Sequence, residues 1–173
     1  MGFPLVDADA LKVFILGSFR DYGSVRPRSV RLLGRLVSAL RDLGWDAFLS
    51  GDDRSLEIAG GDLEAWPMTQ RLDDLCDLAV FGVTTTGREA GWASELAALQ
   101  AKRPEAAAKR LLMVPEAYEL SWILDPSRAG ILGDPPVRIS RWSDEQDLVN
   151  QVSTYATFLG QWGRLPTPLE YRP

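Results

Sequence analysis

Short apolar segments alternate with amphipathic ones along most of this chain. The run KVFIL at residues 12–16 is apolar after its lysine, and LAVFGV at residues 78–83 has the same character. Such runs are typical of strands that are buried on both faces of a parallel sheet. Shorter apolar segments at residues 46–49, 111–114 and 137–142 complete a set of five predicted strands.

Segments with helical spacing separate the predicted strands. The helices are predicted at residues 30–43, 67–76, 93–100 and 144–159. Gly44 is a natural end for the first helix, Pro67 suits the first turn of the second, and Ser143 is expected to cap the last. Strands that alternate with helices predict a doubly wound, mostly parallel five-stranded sheet with helices on both faces, of the flavodoxin or Rossmann-like type.

The same pattern divides the chain into three parts. Residues 12–160 form the predicted α/β domain, residues 1–11 an N-terminal extension, and residues 161–173 a proline-containing C-terminal tail. A chain of 173 residues with 46% hydrophobic residues is long enough to bury one proper core.

Charge and composition exclude several classes of function. A formal net charge of −5 disfavours binding to a nucleic acid polymer, which needs clustered basic residues. The sequence has no apolar run of about 20 residues and no basic, apolar leader, so a cytoplasmic protein without membrane contact is expected. The chain has no histidine and a single cysteine, so we expect no metal or other cofactor, and acid–base chemistry falls to carboxylates.

Two of the loops at the carboxyl ends of the predicted strands carry candidate binding groups. Ligands of doubly wound sheets bind at this edge. After the first strand, GSFR provides Gly17 for close backbone approach, the Ser18 hydroxyl, and the planar cation of Arg20, which suits phosphate or carboxylate. After the third strand, TTTGREAGWASEL provides the Thr84 hydroxyl and leads to one carboxylate, Glu95.

Glu95 is predicted in the first turn of the helix at residues 93–100. Backbone N–H groups there favour the ionised carboxylate by a few tenths to about 1 kcal/mol. With an ordinary glutamate pKa near ~4.3, the group is expected to be an anion at neutral pH. That charge suits a nucleophile or a stabiliser of positive charge.

The segment GREAGWASELAAL resembles the G-x-x-x-E-x-G-x-A segment of the nucleoside 2-deoxyribosyltransferase superfamily. Gly91 and Glu95 match its glycine-to-glutamate spacing, and Glu89 falls where those enzymes have a second acidic residue. GSFR, in turn, resembles the G-S-x-R of the nucleoside 5′-monophosphate N-glycosidase branch. More distantly, the chain resembles TIR domains.

This resemblance implies cleavage of an N-glycosidic bond in a nucleoside or nucleotide, or (deoxy)ribosyl transfer, with Glu95 as the nucleophile. It implies a second catalytic carboxylate, Glu89, at the sugar or base, and phosphate contacts from Ser18, Arg20 and Ser94. The remaining residues of the implied substrate site are Gly17, Thr84 and Gly91. A homodimer or larger homo-oligomer is also expected, because neighbouring subunits commonly complete such sites.

One position departs from the family pattern. The superfamily usually has an aspartate, assisting the leaving base, eight residues before the residue that Asp77 matches, and this chain has Thr69 there. Asp73 lies one turn further on. Either another acid, such as Asp52 or Asp53 of the second loop, assists the leaving base, or catalysis is weak or absent.

Two other interpretations therefore stay open. A TIR-like NAD glycohydrolase would share the VFILGS strand and the WASEL segment, although its tryptophan usually stands four residues before the glutamate, whereas Trp92 stands three before Glu95. The chain would otherwise be a nucleotide-binding sensor or interaction module. The sequence thus predicts the site but leaves open whether the chain is an enzyme.

Overall fold

The structure, a computed structural model, describes residues 10–17, 28–61, 63–83, 90–117 and 137–166 of the chain. The strands within these ranges are β1 (Lys12–Gly17), β2 (Asp46–Leu49), β3 (Leu78–Val83), β4 (Arg110–Pro115) and β5 (Arg138–Trp142). The helices are α1 (Arg28–Asp42), α2 (Asp53–Ala59), α3 (Ala65–Leu75), α4 (Ala90–Lys102) and α5 (Glu145–Trp162), with a 3-10 helix at Pro104–Lys109. No described helix is long and apolar enough to cross a membrane.

All four strand pairings are parallel, and the strand order is β2-β1-β3-β4-β5. The predicted doubly wound α/β fold is therefore confirmed. Strand β2 lies on one side of β1, and β3, β4 and β5 follow on the other, so the direction of winding reverses between β1 and β3. The carboxyl ends of these two strands meet where Gly17 pairs with Val83. Sheets of this order bind their ligands at the crevice beside that point.

Two hydrophobic clusters cover the two faces of the sheet. One joins Val13 and Ile15 of β1 to side chains of α1 and α5. The other joins Phe14 and Leu16 to side chains of α2, α3 and α4. Successive strand residues point to opposite faces, so the continuous apolar runs in the sequence reflect burial on both sides. Three helices, α3 and α4 among them, therefore pack on the same face of the sheet.

The predicted helices begin within one to three residues of the observed starts, and α2 was not predicted. The differences at α4 and α5 affect Gly91 and Ser143. Helix α4 begins at Ala90, three residues before the predicted start, so Gly91 lies in a helical turn rather than in a loop. Helix α5 is capped by Asp144, whose side chain accepts a hydrogen bond from the backbone N–H of Asp147. Ser143 instead donates its N–H and its hydroxyl to the Asp147 carboxylate. The Ser143 hydroxyl thus binds a side chain of the first helical turn and not a backbone N–H group of the helix.

The loop after β2 is held by a carboxylate that the sequence offered as a substitute catalytic acid. Asp52 Oδ1 accepts from the backbone N–H of Ser55 over 2.9 Å, and Oδ2 accepts from the N–H of Leu49 over 3.0 Å. Both oxygens therefore serve the turn and the N-terminus of α2. Asp52 is a helix cap, while Asp53 is exposed in the first turn of that helix.

We expect Asp52→Ala to lower the free energy of unfolding by about 1–2 kcal/mol, because two backbone N–H groups lose their acceptor. Asp53→Ala, at the adjacent exposed position, should cost only a few tenths of a kcal/mol. Urea unfolding of both variants measures the difference. Equal losses would show that the capping bonds of Asp52 contribute nothing specific.

Candidate active site around Glu95

Glu95 lies in the second turn of α4, as the sixth residue of the helix. Its neighbours Trp92, Leu96 and Leu99 are buried, and they dock the helix on the sheet. Because the helix begins earlier than predicted, Glu95 is beyond the first turn, where the terminal N–H groups act on a charge. The predicted stabilisation of its anion by the helix start is therefore wrong.

The carboxylate of Glu95 is bound by a threonine from the neighbouring helix. Thr69 Oγ1 donates a hydrogen bond to Glu95 Oε2 over 3.0 Å. Thr69 is 1% exposed, and Glu95 is half-buried. Helical side chains lean toward the N-terminus of their helix. Both of these come from the early turns of α3 and α4, so the pair lies toward the carboxyl edge of the sheet.

Burial affects the pKa of this carboxylate. Loss of solvent raises the pKa of Glu95 above its ordinary value, and the hydrogen bond from Thr69 partly opposes that rise. The direction is opposite to the one expected from the helix start alone. Glu95 is consequently a partly desolvated carboxylate with one oxygen bound by a neutral hydroxyl, and none of the described residues donates to Oε1.

We expect Thr69→Val to raise the pKa of Glu95 further, because the variant keeps the burial but removes the donor that favours the anion. Thr69→Ser, which retains a hydroxyl, is the matched control and should leave the titration nearly unchanged. A carbon-13 NMR titration of the carboxyl carbon, identified by its loss in Glu95→Gln, measures both. A lower pKa in Thr69→Val would contradict this assignment.

A buried ion pair joins the same two helices one turn further along. Arg110, at the start of β4, donates through Nε and Nη2 to the two oxygens of Asp73 over 2.9 and 2.6 Å, and both side chains are 0% exposed. Its Nη1 donates to Gln100 of α4 and, over 3.0 Å, to the carbonyl oxygen of Arg103. Asp73 is four residues after Thr69. Arg110 thus connects α3 to α4, at positions further along both helices than the Thr69–Glu95 contact.

This ion pair excludes the nearest candidate for the missing helper acid. Both carboxylate oxygens of Asp73 are bound by the guanidinium, and Asp74 pairs with Arg103. Neither aspartate reaches Glu95 in the described contacts.

No protein-family model matches the chain, and a search of curated proteins finds no match. Among the described residues, no group of three or more histidine, cysteine, aspartate or glutamate side chains is placed to hold a metal ion.

The structure locates part of the predicted substrate site. Gly17 ends β1 opposite Val83, and Gly91 and Ser94 lie on α4 with Glu95. Ser94 is exposed, next in the chain to the half-buried carboxylate. The other predicted residues lie outside the described ranges, and these are Ser18, Arg20, Thr84 and Glu89.

Trp92 and Gly82 form a packing contact that the sequence analysis missed. Gly82 has φ of +78°, and a Cβ atom there would lie 2.5 Å from Leu112 Cδ1 and 3.2 Å from the Trp92 indole. Trp92 is 2% exposed, and its Nε1 has no hydrogen-bond partner in the described part of the chain. The glycine inside the apolar run LAVFGV was the available signal, because such glycines mark close approach.

Proposed function

We propose that the chain breaks the N-glycosidic bond of a nucleoside or nucleotide, by hydrolysis or by transfer of the (deoxy)ribosyl group, with Glu95 as the nucleophile. The observation that carries the proposal is the Thr69–Glu95 hydrogen bond. It positions a half-buried carboxylate on the helix that follows β3, a central strand paired with β1 at the point where the strand order reverses.

The geometry supports a two-step displacement. Thr69 holds Oε2, and Oε1 attacks the anomeric carbon of the sugar as the bond to the base breaks and its electron pair leaves with the base. The negative charge of the carboxylate stabilises the oxocarbenium-like transition state, more strongly in a partly desolvated position than in water. Water, or a second base, then attacks the glycosyl ester and restores the carboxylate of Glu95.

The proposal extends to the rest of the ligand edge. Gly17 at the end of β1 and Ser94 beside Glu95 would contact the sugar or its phosphate. Ser18, Arg20 and Thr84 would supply the remaining polar contacts, and Glu89 would bind the sugar or base. A homodimer is part of the same proposal. Trp162, which is 66% exposed near the end of α5, offers an apolar contact for a second copy.

The proposal is tested by incubating the protein with ribonucleosides, deoxynucleosides, their 5′-monophosphates and NAD, and measuring free base by chromatography. We expect release of base from at least one of them. Binding of a nucleotide without release from any substrate would contradict catalysis and favour a sensor. Release of nicotinamide alone would favour the NAD glycohydrolase.

A further inference from the structure

Helices α3 and α4 are connected by a direct and by an indirect hydrogen-bonded contact. In the direct one, Thr69 of α3 donates to Glu95 of α4 over 3.0 Å. In the indirect one, Arg110 of β4 binds the two oxygens of Asp73 on α3 over 2.9 and 2.6 Å, and its Nη1 donates to Gln100 on α4. We refer to Asp73, Arg110 and Gln100 as the Arg110 network. Each helix thus contributes one side chain to each contact.

The Arg110 network is buried and has a defined geometry. Asp73 and Arg110 are 0% exposed, and Gln100 is 2% exposed. A guanidinium is planar and its donors point in fixed directions, so it reaches acceptors on both helices only when these helices lie at one spacing from β4. A buried donor that lost its acceptor would cost more than an ordinary hydrogen bond contributes. The network therefore favours a single arrangement of α3 against α4.

The Thr69–Glu95 contact depends on the same arrangement. Thr69 lies one helical turn before Asp73 on α3, and Glu95 lies five residues before Gln100 on α4. A threonine side chain is short and stiff at χ1, so it cannot follow a carboxylate that moves away. The O···O distance of 3.0 Å is already at the long end of the range for such bonds. A displacement of either helix by about 1 Å would therefore break the contact.

We propose, on the basis of the function above, that Arg110 is a positioning residue for the nucleophile Glu95. Through the Arg110 network it holds α3 and α4 at the spacing at which the Thr69 hydroxyl binds Glu95 Oε2. With Oε2 bound, Oε1 is directed at the anomeric carbon. Arg110 thus acts on the reaction through the two helices, and a misplacement of about 1 Å at the reacting atoms can lower a rate by about 10²-fold.

Gln100→Met separates this role from the stability of the buried ion pair. Methionine is as long as glutamine, unbranched and adaptable in packing, and the variant removes the acceptor on α4. Arg110 keeps the two oxygens of Asp73 and the carbonyl oxygen of Arg103, so the fold should be retained. Arg110→Met is less suitable, because it would leave the charge of Asp73 buried without a partner.

Lys102→Met is the matched control. Lys102 is an exposed residue of α4, and its Nζ lies 5.3 Å from the centre of the Trp66 ring on α3, so it also joins the two helices. We expect Gln100→Met to lower kcat for base release by about 10–100-fold with little change in KM, and Lys102→Met to leave both constants unchanged. An unchanged kcat in Gln100→Met, a change in KM alone, or equal losses in the two variants would overturn the inference.

A double-mutant cycle on the pKa of Glu95 tests whether the network acts through Thr69. The hydrogen bond from Thr69 lowers the pKa of Glu95 against the effect of burial, so Gln100→Met should raise this pKa, as Thr69→Val does. In a Thr69→Val background, Gln100→Met should add no further rise, because the donor is already absent. Carbon-13 NMR of the carboxyl carbon measures all four proteins. An unchanged or lower pKa in Gln100→Met, or an equal rise in both backgrounds, would overturn the inference.

The failure of the inference and that of the proposed function are distinguishable, because the NMR cycle needs no substrate. If the wild-type protein releases no base from any nucleoside, nucleotide or NAD, the proposed function fails. A rise in the pKa of Glu95 in Gln100→Met that depends on Thr69 would still show that the Arg110 network positions this carboxylate. If the wild-type protein releases base and this rise is absent, the function stands and the inference is overturned.

Discussion

Replacing Glu95 by glutamine should lower base release at least about a thousandfold, as expected when an enzyme loses its nucleophile. Glutamine has the same shape, and its amide oxygen still accepts the hydrogen bond that Thr69 Oγ1 gives to the carboxylate. The variant therefore changes the nucleophilicity and the charge while it keeps the packing of α3 against α4. Chromatography of the free base measures the loss.

Glu105→Gln is the matched control for that variant. Glu105 is exposed on the 3-10 helix, and its contact with Arg103 is a 3.5 Å surface ion pair. We expect its rate of base release to equal that of the wild type, because a surface ion pair contributes little. A Glu95→Gln variant that keeps a tenth or more of the wild-type rate would contradict the assignment of Glu95 as the nucleophile.

Glu95→Gln should also change stability in a pH-dependent manner. Because burial raises the pKa of Glu95 in the folded state, its ionisation costs stability as the pH rises through that pKa. The neutral glutamine avoids this cost, so the variant should be more stable than the wild type at pH 7. Below the unfolded-state pKa of about 4.3, where the glutamate is protonated in both states, the advantage should disappear. Urea unfolding at several pH values measures it, and a constant difference would refute the effect.

Asp73→Asn should lower the free energy of unfolding by about 3–5 kcal/mol, because it leaves the charge of Arg110 buried without its partner. The two side chains are 0% exposed and joined by two hydrogen bonds, and the pair connects α3 and β4. An effect of this size is a large part of the stability of a small domain. Urea unfolding with a spectroscopic readout of helix content gives the value.

Two further variants separate the cost of the unpaired charge from the value of the pair. The double variant Asp73→Leu/Arg110→Met removes both charges and should be more stable than Asp73→Asn alone. Arg35→Gln breaks the exposed pair with Glu145, whose side chains are 70% and 53% exposed, and should cost at most about 1 kcal/mol. If Asp73→Asn lowers the free energy of unfolding no more than Arg35→Gln does, the buried Asp73–Arg110 pair does not contribute significantly to stability.

The strands were predictable because their signal is local. The bounds of β2 and β3 are those given by the apolar runs, since polar or glycine-containing segments flank each run. The start of α4 was placed late because Ala90 and Gly91 lie before the strongly apolar part of the helix, and glycine is a weak helix former. Arg110 falls just outside the predicted strand at residues 111–114, although it is the first residue of β4. Its burial depends on partners in α3 and α4 that no local pattern reveals.

The candidate site was predictable only in part, for the same reason. The position of Glu95 near the ligand edge follows from the alternation of strands and helices, but its contact with Thr69 joins residues that are 26 positions apart. The resemblance marked Thr69 only as the place of a missing aspartate. The sign of the pKa shift of Glu95 was wrong because burial between two packed helices outweighs the local effect of a helix start.

The most direct test of the central claim is intact-protein mass spectrometry of the protein quenched during reaction with 2′-fluoro-2′-deoxyarabinosyl nicotinamide, whose fluorine slows both chemical steps. If Glu95 is the nucleophile, the protein gains the mass of one fluorinated pentosyl group, peptide mapping places it on Glu95, and Glu95→Gln gains none. An equal mass gain in Glu95→Gln, a label on another residue, or stoichiometric release of nicotinamide with no mass gain would contradict the claim.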